Sequence, residues 1–243
     1  MKPTHLIEEK VTSCRACWLG DANSGPVPYR GPDEPRIVVL GEAPGWEEDA
    51  KARPFVGPAG RHLKKLMKEA GLVEDLVGFL NVISCLPAKG EGVRAPKAPE
   101  IAACRPNLTF QLRVLKPEIV ILAGNTALHQ FRPELKITHV RGKAMVFDVG
   151  VGAFVAIPML HPSALISAKS AKMNTDAVRD LKQAKWRLKH GWLERWHESC
   201  CVKDCEEGLE VYDVNGLGWC EGHRVFAREE MGMTKLDQQM ELT

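Results

Sequence analysis

The chain of 243 residues carries 33 Lys and Arg against 31 Asp and Glu, a formal charge of +2, and is 44% hydrophobic, 26% charged and 6% aromatic. This balance excludes a disordered or collagen-like polypeptide, and the length fits one large core, or one core with an appendage. No apolar run approaches the ~20 residues of a membrane helix, and the start, Met1-Lys2-Pro3-Thr4-His5-Leu6-Ile7-Glu8-Glu9-Lys10, lacks a signal-peptide apolar core; the expectation is a cytoplasmic protein with no membrane partner.

Four short apolar runs read as strands: Ile37–Leu40, Phe79–Ile83, Ile119–Ala123 and Phe154–Ile157. They are near-continuous rather than alternating, which suits a parallel sheet covered on both faces. Helices fall between them. Gly60–Ala70 places Leu63, Leu66, Met67 and Ala70 on one stripe with Arg61, Lys64, Lys65 and Lys68 outside; Pro99–Leu115 and a shorter Asn125–Phe131 follow, and a long basic helix spans about Asn174–His197. Alternating strands and helices predict an α/β fold, a three-layer α/β/α domain around a central four-stranded parallel sheet, over residues 1–197. Residues 198–243 are rich in Cys, Gly and acid and build little core alone.

Charge is uneven along this order. Residues 1–60 carry 7 basic and 9 acidic groups, residues 61–200 carry 22 and 12, and residues 201–243 carry 4 and 10. A basic middle between acidic ends fits a chain whose centre meets a polyanion, although a solvated lysine-rich helix face gives the same count.

Eight cysteines in such a chain favour metal over disulfides. Cys14, Cys17, Cys85 and Cys104 form one group of four. Spacing alone leaves a structural Cys₄ zinc site and an iron–sulfur cluster equally open. In the tail, Cys201-x₃-Cys205-x₁₄-Cys220-x₂-His223 has zinc-finger-like spacing, with Cys200 able to stand in for Cys201. One structural zinc is expected there. The acidity of the tail argues against phosphate contact and for either a structural knuckle or a module that docks a protein partner.

In open α/β sheets ligands sit beyond the carboxyl ends of the strands, and three predicted strand ends carry unusual chemistry. The first runs into Gly41-Glu42-Ala43-Pro44-Gly45, whose small residues admit a ligand close to the main chain and whose amides can face an anion. The second contains Asn81, a buried amide that needs partners. The fourth leads to His161-Pro162-Ser163.

Together these pieces resemble a known family. The block G-E-A-P-G-x-x-E-D-x-x-x-R-P-F-V-G-x-A-G over residues 41–60 is similar to the first motif of the type 4, iron–sulfur uracil-DNA glycosylases. Asn81-Val82-Ile83-Ser84-Cys85 resembles the second motif and His161-Pro162-Ser163-Ala164-Leu165 the third. The resemblance implies a [4Fe-4S] cluster on Cys14, Cys17, Cys85 and Cys104. It implies a monomeric, nucleoid-associated repair enzyme that flips deoxyuridine out of uracil-containing DNA and hydrolyses its N-glycosidic bond. Phe55 would stack on the base and Asn81 would read its O4 and N3–H edge. His161 and the amides around Ala43 to Gly45 would stabilise the uracil anion, with Ser163 beside them in the same substrate-binding set. Glu42 would orient water and balance the cationic sugar, Glu48 would wall off a thymine methyl, and Leu165 would fill the vacated stack. Lys169, Lys172 and Arg179 would contact phosphates. The stretch 86–103 holds no histidine, unlike a relative that traps DNA covalently, so turnover is expected. Two rivals are a non-catalytic cluster-bearing DNA-binding protein and a glycosylase for other deaminated bases.

Overall fold

The computed structural model describes residues 2–89, 92–148 and 153–190, together with two short paired strands farther on. In chain order the elements are α1 (Pro3–Thr12), α2 (Leu19–Ala22), β1 (Ile37–Gly41), α3 (Trp46–Lys51), α4 (Pro58–Ala70), β2 (Val77–Asn81), β3 (Ala88–Lys89), β4 (Gly92–Val93) and α5 (Ala98–Leu115). Then come β5 (Ile119–Ala123), α6 (Asn125–Leu128), α7 (Ile137–Val140), β6 (Met145–Asp148), β7 (Ala153–Met159), α8 (Pro162–Ala168), α9 (Ala171–His190), β8 (Val211–Tyr212) and β9 (Gly218–Trp219).

The sheet runs β2-β1-β5-β7-β6. The four strands read from the sequence are mutually parallel, pairing Ile37 with Val77, Ile37 with Ile119, and Ile119 with Val155. The expected four-stranded sheet is corrected by a fifth member: β6 pairs antiparallel with β7, Met145 facing Ala156, and makes the sheet mixed. Its apolar run is only Met145-Val146-Phe147, too short to separate from a loop by periodicity, and it is a strand because β7 offers it an open edge.

Both faces of the sheet are covered. Ile37, Val39, Phe79, Ile121 and Ile157 face α4 and α9 through Leu63, Leu66, Met67, Val178 and Leu181. The alternate residues Val38, Leu40, Leu80, Leu122 and Phe154 face α1 and α5 through Ile7, Val11, Leu108 and Leu112. Strand side chains point alternately up and down, so two apolar layers demand the continuous runs seen in the sequence. Among the described residues no helix is long and apolar enough to cross a membrane. The tail residues Cys201, Cys205, Cys220 and His223 lie outside the described residues.

One buried charge cluster ties α9 to the loop before β6. Arg141 bonds Asp180 at 2.8 Å and reaches Asp176 at 3.7 Å. Burial outweighs the guanidinium and pushes the Asp180 carboxyl from its ordinary 3.8 up to about 7. A carboxyl whose folded pKa is raised binds its proton more tightly in the native state, so it favours folding below its unfolded pKa. That contribution is lost as pH rises through the folded value. The melting temperature is therefore expected to decline from pH 5 to pH 8 more steeply in the wild type than in Asp180→Asn. Parallel profiles in calorimetry would contradict this assignment.

Candidate active site

Because β1, β2, β5 and β7 are parallel, their carboxyl ends meet at one edge, and a cleft of about 410 Å³ opens there. At the end of β1, next to the cleft residue Glu42, Gly41 faces Asn81 across the β1–β2 pair. A Cβ on Gly41 would lie 2.4 Å from Asn81 Oδ1 and 2.6 Å from Phe55 Cζ, so the bare backbone brings amide and ring together. Asn81 is 8% exposed. It lines the cleft, and its side-chain amide has no hydrogen-bond partner among the described residues.

Phe55 packs its ring 5.5 Å from Phe79 at 45° and has a backbone φ of 56°. A left-handed phenylalanine costs about 1–3 kcal/mol. The neighbours that hold it there are known: Gly60, in the first turn of α4, leaves room for the Phe55 carbonyl, which an added Cβ would approach to 2.1 Å. Glu48 closes the same loop. Its carboxylate accepts from Gly45 N at 3.1 Å and from Gly57 N at 2.6 Å, joining the starts of α3 and α4. Glu48 lines the cleft with both oxygens engaged on backbone amides, so it shapes the wall.

Those bonds correct one expectation. Of the three residues read as anion donors, Pro44 has no N–H and Gly45 gives its own to Glu48, so neither offers an amide. Ala43 lines the cleft and keeps its amide free of any partner among the described residues.

The other wall carries Glu42, His161 and Ser163. Thr126, in α6, donates its hydroxyl to Glu42 Oε2. His161 caps α8, and its Nδ1 accepts the Ser163 backbone N–H at 3.3 Å and lies 2.7 Å from the Ser163 hydroxyl. A ring nitrogen that accepts from a backbone amide carries no proton, so the neutral tautomer has its hydrogen on Nε2. Burial holds the imidazole below its ordinary 6.5, against the pull of the Glu42 charge. The result is a neutral histidine with one directed donor. Gly124, with φ of 94°, leaves space for it: a Cβ there would stand 3.1 Å from His161 Cβ.

Eight of the nine non-metal candidates, Glu42, Ala43, Gly45, Glu48, Phe55, Asn81, His161 and Ser163, thus line one cleft. Leu165 does not. It is 1% exposed and belongs to the core beneath the sheet, while its neighbour Ile166, 39% exposed, lines the cleft. A helix turns about 100° per residue, so a shift of one position exchanges core for cleft. Sequence reasoning also missed Thr126 and Val93. The run Gly124-Asn125-Thr126 after a buried strand was the available signal for the first; nothing local marked Val93. Lys172 and Arg179 pair with Asp176 at 3.1 and 3.4 Å, and neither they nor Lys169 line the cleft.

The four N-terminal and central cysteines are brought to one region. Cys14 and Cys17 follow α1, Cys85 lies beyond β2 and Cys104 is on α5, all as free thiols. The Cys85 thiol is pushed up to about 12, first by burial and then by the neighbouring sulfurs of Cys104, Cys17 and Cys14. Cys104, raised by burial, feels Cys14 and Cys17 as well. Together the four sulfurs are a soft, all-sulfur donor set, and thiolates gathered in one region need a cationic group to be stable. Among the described residues no group of three or more His, Cys, Asp or Glu side chains is arranged to hold a single metal ion.

Comparison with known proteins adds the following. The model of the Uracil DNA glycosylase superfamily matches residues 28–183. A relative from Thermotoga maritima named type-4 uracil-DNA glycosylase is 35% identical over 186 residues, covering 76% of this chain and 94% of the relative. Proteins of the same name from Sulfurisphaera tokodaii (36% over 172 residues, 68% and 77% covered) and Saccharolobus solfataricus (32% over 186 residues, 74% and 85%) are also similar.

Proposed function

Because the chain belongs to the type-4 uracil-DNA glycosylases of the uracil-DNA glycosylase superfamily, we propose that its cleft takes a uracil extruded from DNA and that Phe55, Asn81, His161 and Glu42 grip and release it. The activity is hydrolysis of the bond between uracil N1 and deoxyribose C1′, which starts base excision repair. Extrusion costs about a few kcal/mol, recovered in the pocket. Phe55 stacks on the base. Asn81 Nδ2 donates to O4 while Oδ1 accepts from N3–H.

When the C1′–N1 bond breaks, its electron pair stays with uracil, and negative charge gathers at O2 while C1′ becomes cationic. The Nε2–H of His161 and the amide of Ala43 are the donors for that oxygen. The Glu42 carboxylate, fixed by Thr126, balances the sugar cation and receives the proton of the water that bonds C1′. What supports this reading best is that residues from separate stretches, near 42–55, 81 and 161, line a single cleft. A uracil-containing oligonucleotide incubated with the protein and then with alkali is expected to break at the uracil. An unbroken strand with correctly folded protein would overturn the reading.

For the cysteines, the all-sulfur donor set supports a [4Fe-4S] cluster on Cys14, Cys17, Cys85 and Cys104. When bound, the cluster crosslinks α1, the segment after β2 and α5; no step of the reaction is assigned to it. The tail is proposed to bind one zinc through Cys201, Cys205, Cys220 and His223 and to dock a protein, on an enzyme that works as a monomer at the nucleoid. Elemental analysis is expected to give iron and zinc near 4:1, with a broad visible band that bleaches on reduction and disappears in Cys104→Ser. A colourless protein containing zinc alone would assign the first site to zinc instead.

A further inference from the structure

Arg30 precedes β1 and does not line the cleft, yet it reaches the peptide that carries Phe55. Its backbone pairs with that of Phe79 in β2, Arg30 N donating to Phe79 O at 3.0 Å and Phe79 N to Arg30 O at 2.7 Å. The side chain, 16% exposed, folds back over the same residue, with Cζ 4.3 Å from the centre of the Phe79 ring. Nε donates to Pro54 O at 3.0 Å, and Nη1 reaches Glu74 at 3.4 Å. Nη2 is buried without a hydrogen-bond partner among the described residues; the negative face of an aromatic ring is a surface that offsets such burial.

These contacts meet on Phe55 from two directions. The Pro54 carbonyl belongs to the peptide plane from which the Phe55 φ of 56° is measured, so a bond to that oxygen restrains the plane. On the other side of the residue, the Phe55 carbonyl sits where the missing Cβ of Gly60 leaves room for it. A left-handed phenylalanine persists only where its surroundings over-determine it, and here both flanking peptides are held. The ring itself rests 5.5 Å from Phe79, the residue that Arg30 covers. Glu74 does not depend on this guanidinium, because Lys64 holds the same carboxylate oxygen at 2.6 Å.

Resting on the uracil-DNA reading above, we propose that Arg30 is a positioning residue for base recognition: its guanidinium grips the Pro54 carbonyl and the face of Phe79, and through both it fixes the Phe55 ring in the orientation in which uracil stacks. The task suits arginine, whose flat fork covers a ring and bonds a carbonyl at once, whereas an ammonium is a point charge. A stack on the base is made before and after the C1′–N1 bond breaks, so loosening it weakens binding throughout and leaves the chemical step alone.

The test measures kcat and KM on a uracil-containing oligonucleotide, and Ki for free uracil, in wild type, Arg30→Met, Arg30→Lys, Phe55→Ala and the Arg30→Met/Phe55→Ala pair. In Arg30→Met both KM and Ki are expected to rise about fivefold to tenfold, the lower end of what one base–aromatic stack is worth, because the ring is loosened rather than removed. The kcat is expected to stay within about twofold. Arg30→Lys is expected to remain impaired, and Arg30→Met to add less than about twofold once Phe55 is already alanine, since coupled residues are not additive. Neither KM nor Ki depends on how much of the protein is folded, so a merely structural role would lower kcat alone and overturn the proposal. Full recovery in Arg30→Lys would make the charge itself the cause, and an undiminished Arg30→Met effect in the Phe55→Ala background would route it elsewhere; either result overturns the proposal while the uracil reading stands. A folded wild type that leaves uracil-containing DNA intact would overturn that reading and this proposal with it.

Discussion

His161→Ala lowers kcat on uracil-containing DNA by about 10²–10³-fold, the usual loss for one preorganised donor to a developing oxyanion. KM changes far less, because the donor meets full charge only as the C1′–N1 bond breaks. The Ser163 backbone N–H donates to Nδ1 and so puts the one imidazole proton on Nε2. Burial then keeps the ring neutral by holding its pKa below the ordinary 6.5. A neutral donor is poised without first discharging a proton, so the rate is expected to stay level from pH 8 down past 6.5. It falls only when the ring takes a second proton, on Nδ1, and loses the Ser163 cap. Steady-state kinetics over that range check both statements. A loss under tenfold, or an acidic limb already complete at pH 7, would remove His161 from the chemistry.

Asn81→Asp is expected to cost on the order of 10³–10⁴-fold in kcat/KM on uracil and to raise the rate on cytosine from background. A buried polar edge left facing the wrong partner is among the strongest sources of discrimination. Asn81 offers one donor and one acceptor, matching uracil O4 and N3–H. Aspartate offers acceptors only, so uracil O4 meets a repelling oxygen while the cytosine amino group gains a partner. The position cannot adapt by sliding. Oδ1 lies where a Gly41 Cβ would be, and Phe55 fills the other side of the same gap. Competition assays with uracil and cytosine oligonucleotides measure the ratio; unchanged selectivity would take Asn81 out of base reading.

Much of this site was legible in the chain itself. Gly41, Glu42, Asn81 and His161 stand at or just past the ends of apolar runs, and residues at those ends of parallel strands converge whatever the details of packing. The cysteines were legible by type and number. Thr126 was less so, since its role is a bond to Glu42 made across 84 positions. Strand β6 escaped because three apolar residues become a strand only when a neighbouring edge is open to them.

The amino-acid sequence by itself determined the three-layer plan, the strands of its parallel part and the residue types at their ends, because burial on both faces writes itself as continuous apolar runs and turns demand small residues. Tertiary structure decided the rest: that Gly45 gives its amide to Glu48, that Leu165 turns inward while Ile166 meets the cleft, and that Val93 lines the same cleft. Those are choices of direction among neighbours one residue apart. Only the packing of α8 on the sheet and the clamp of Arg94 on Glu100 select between them.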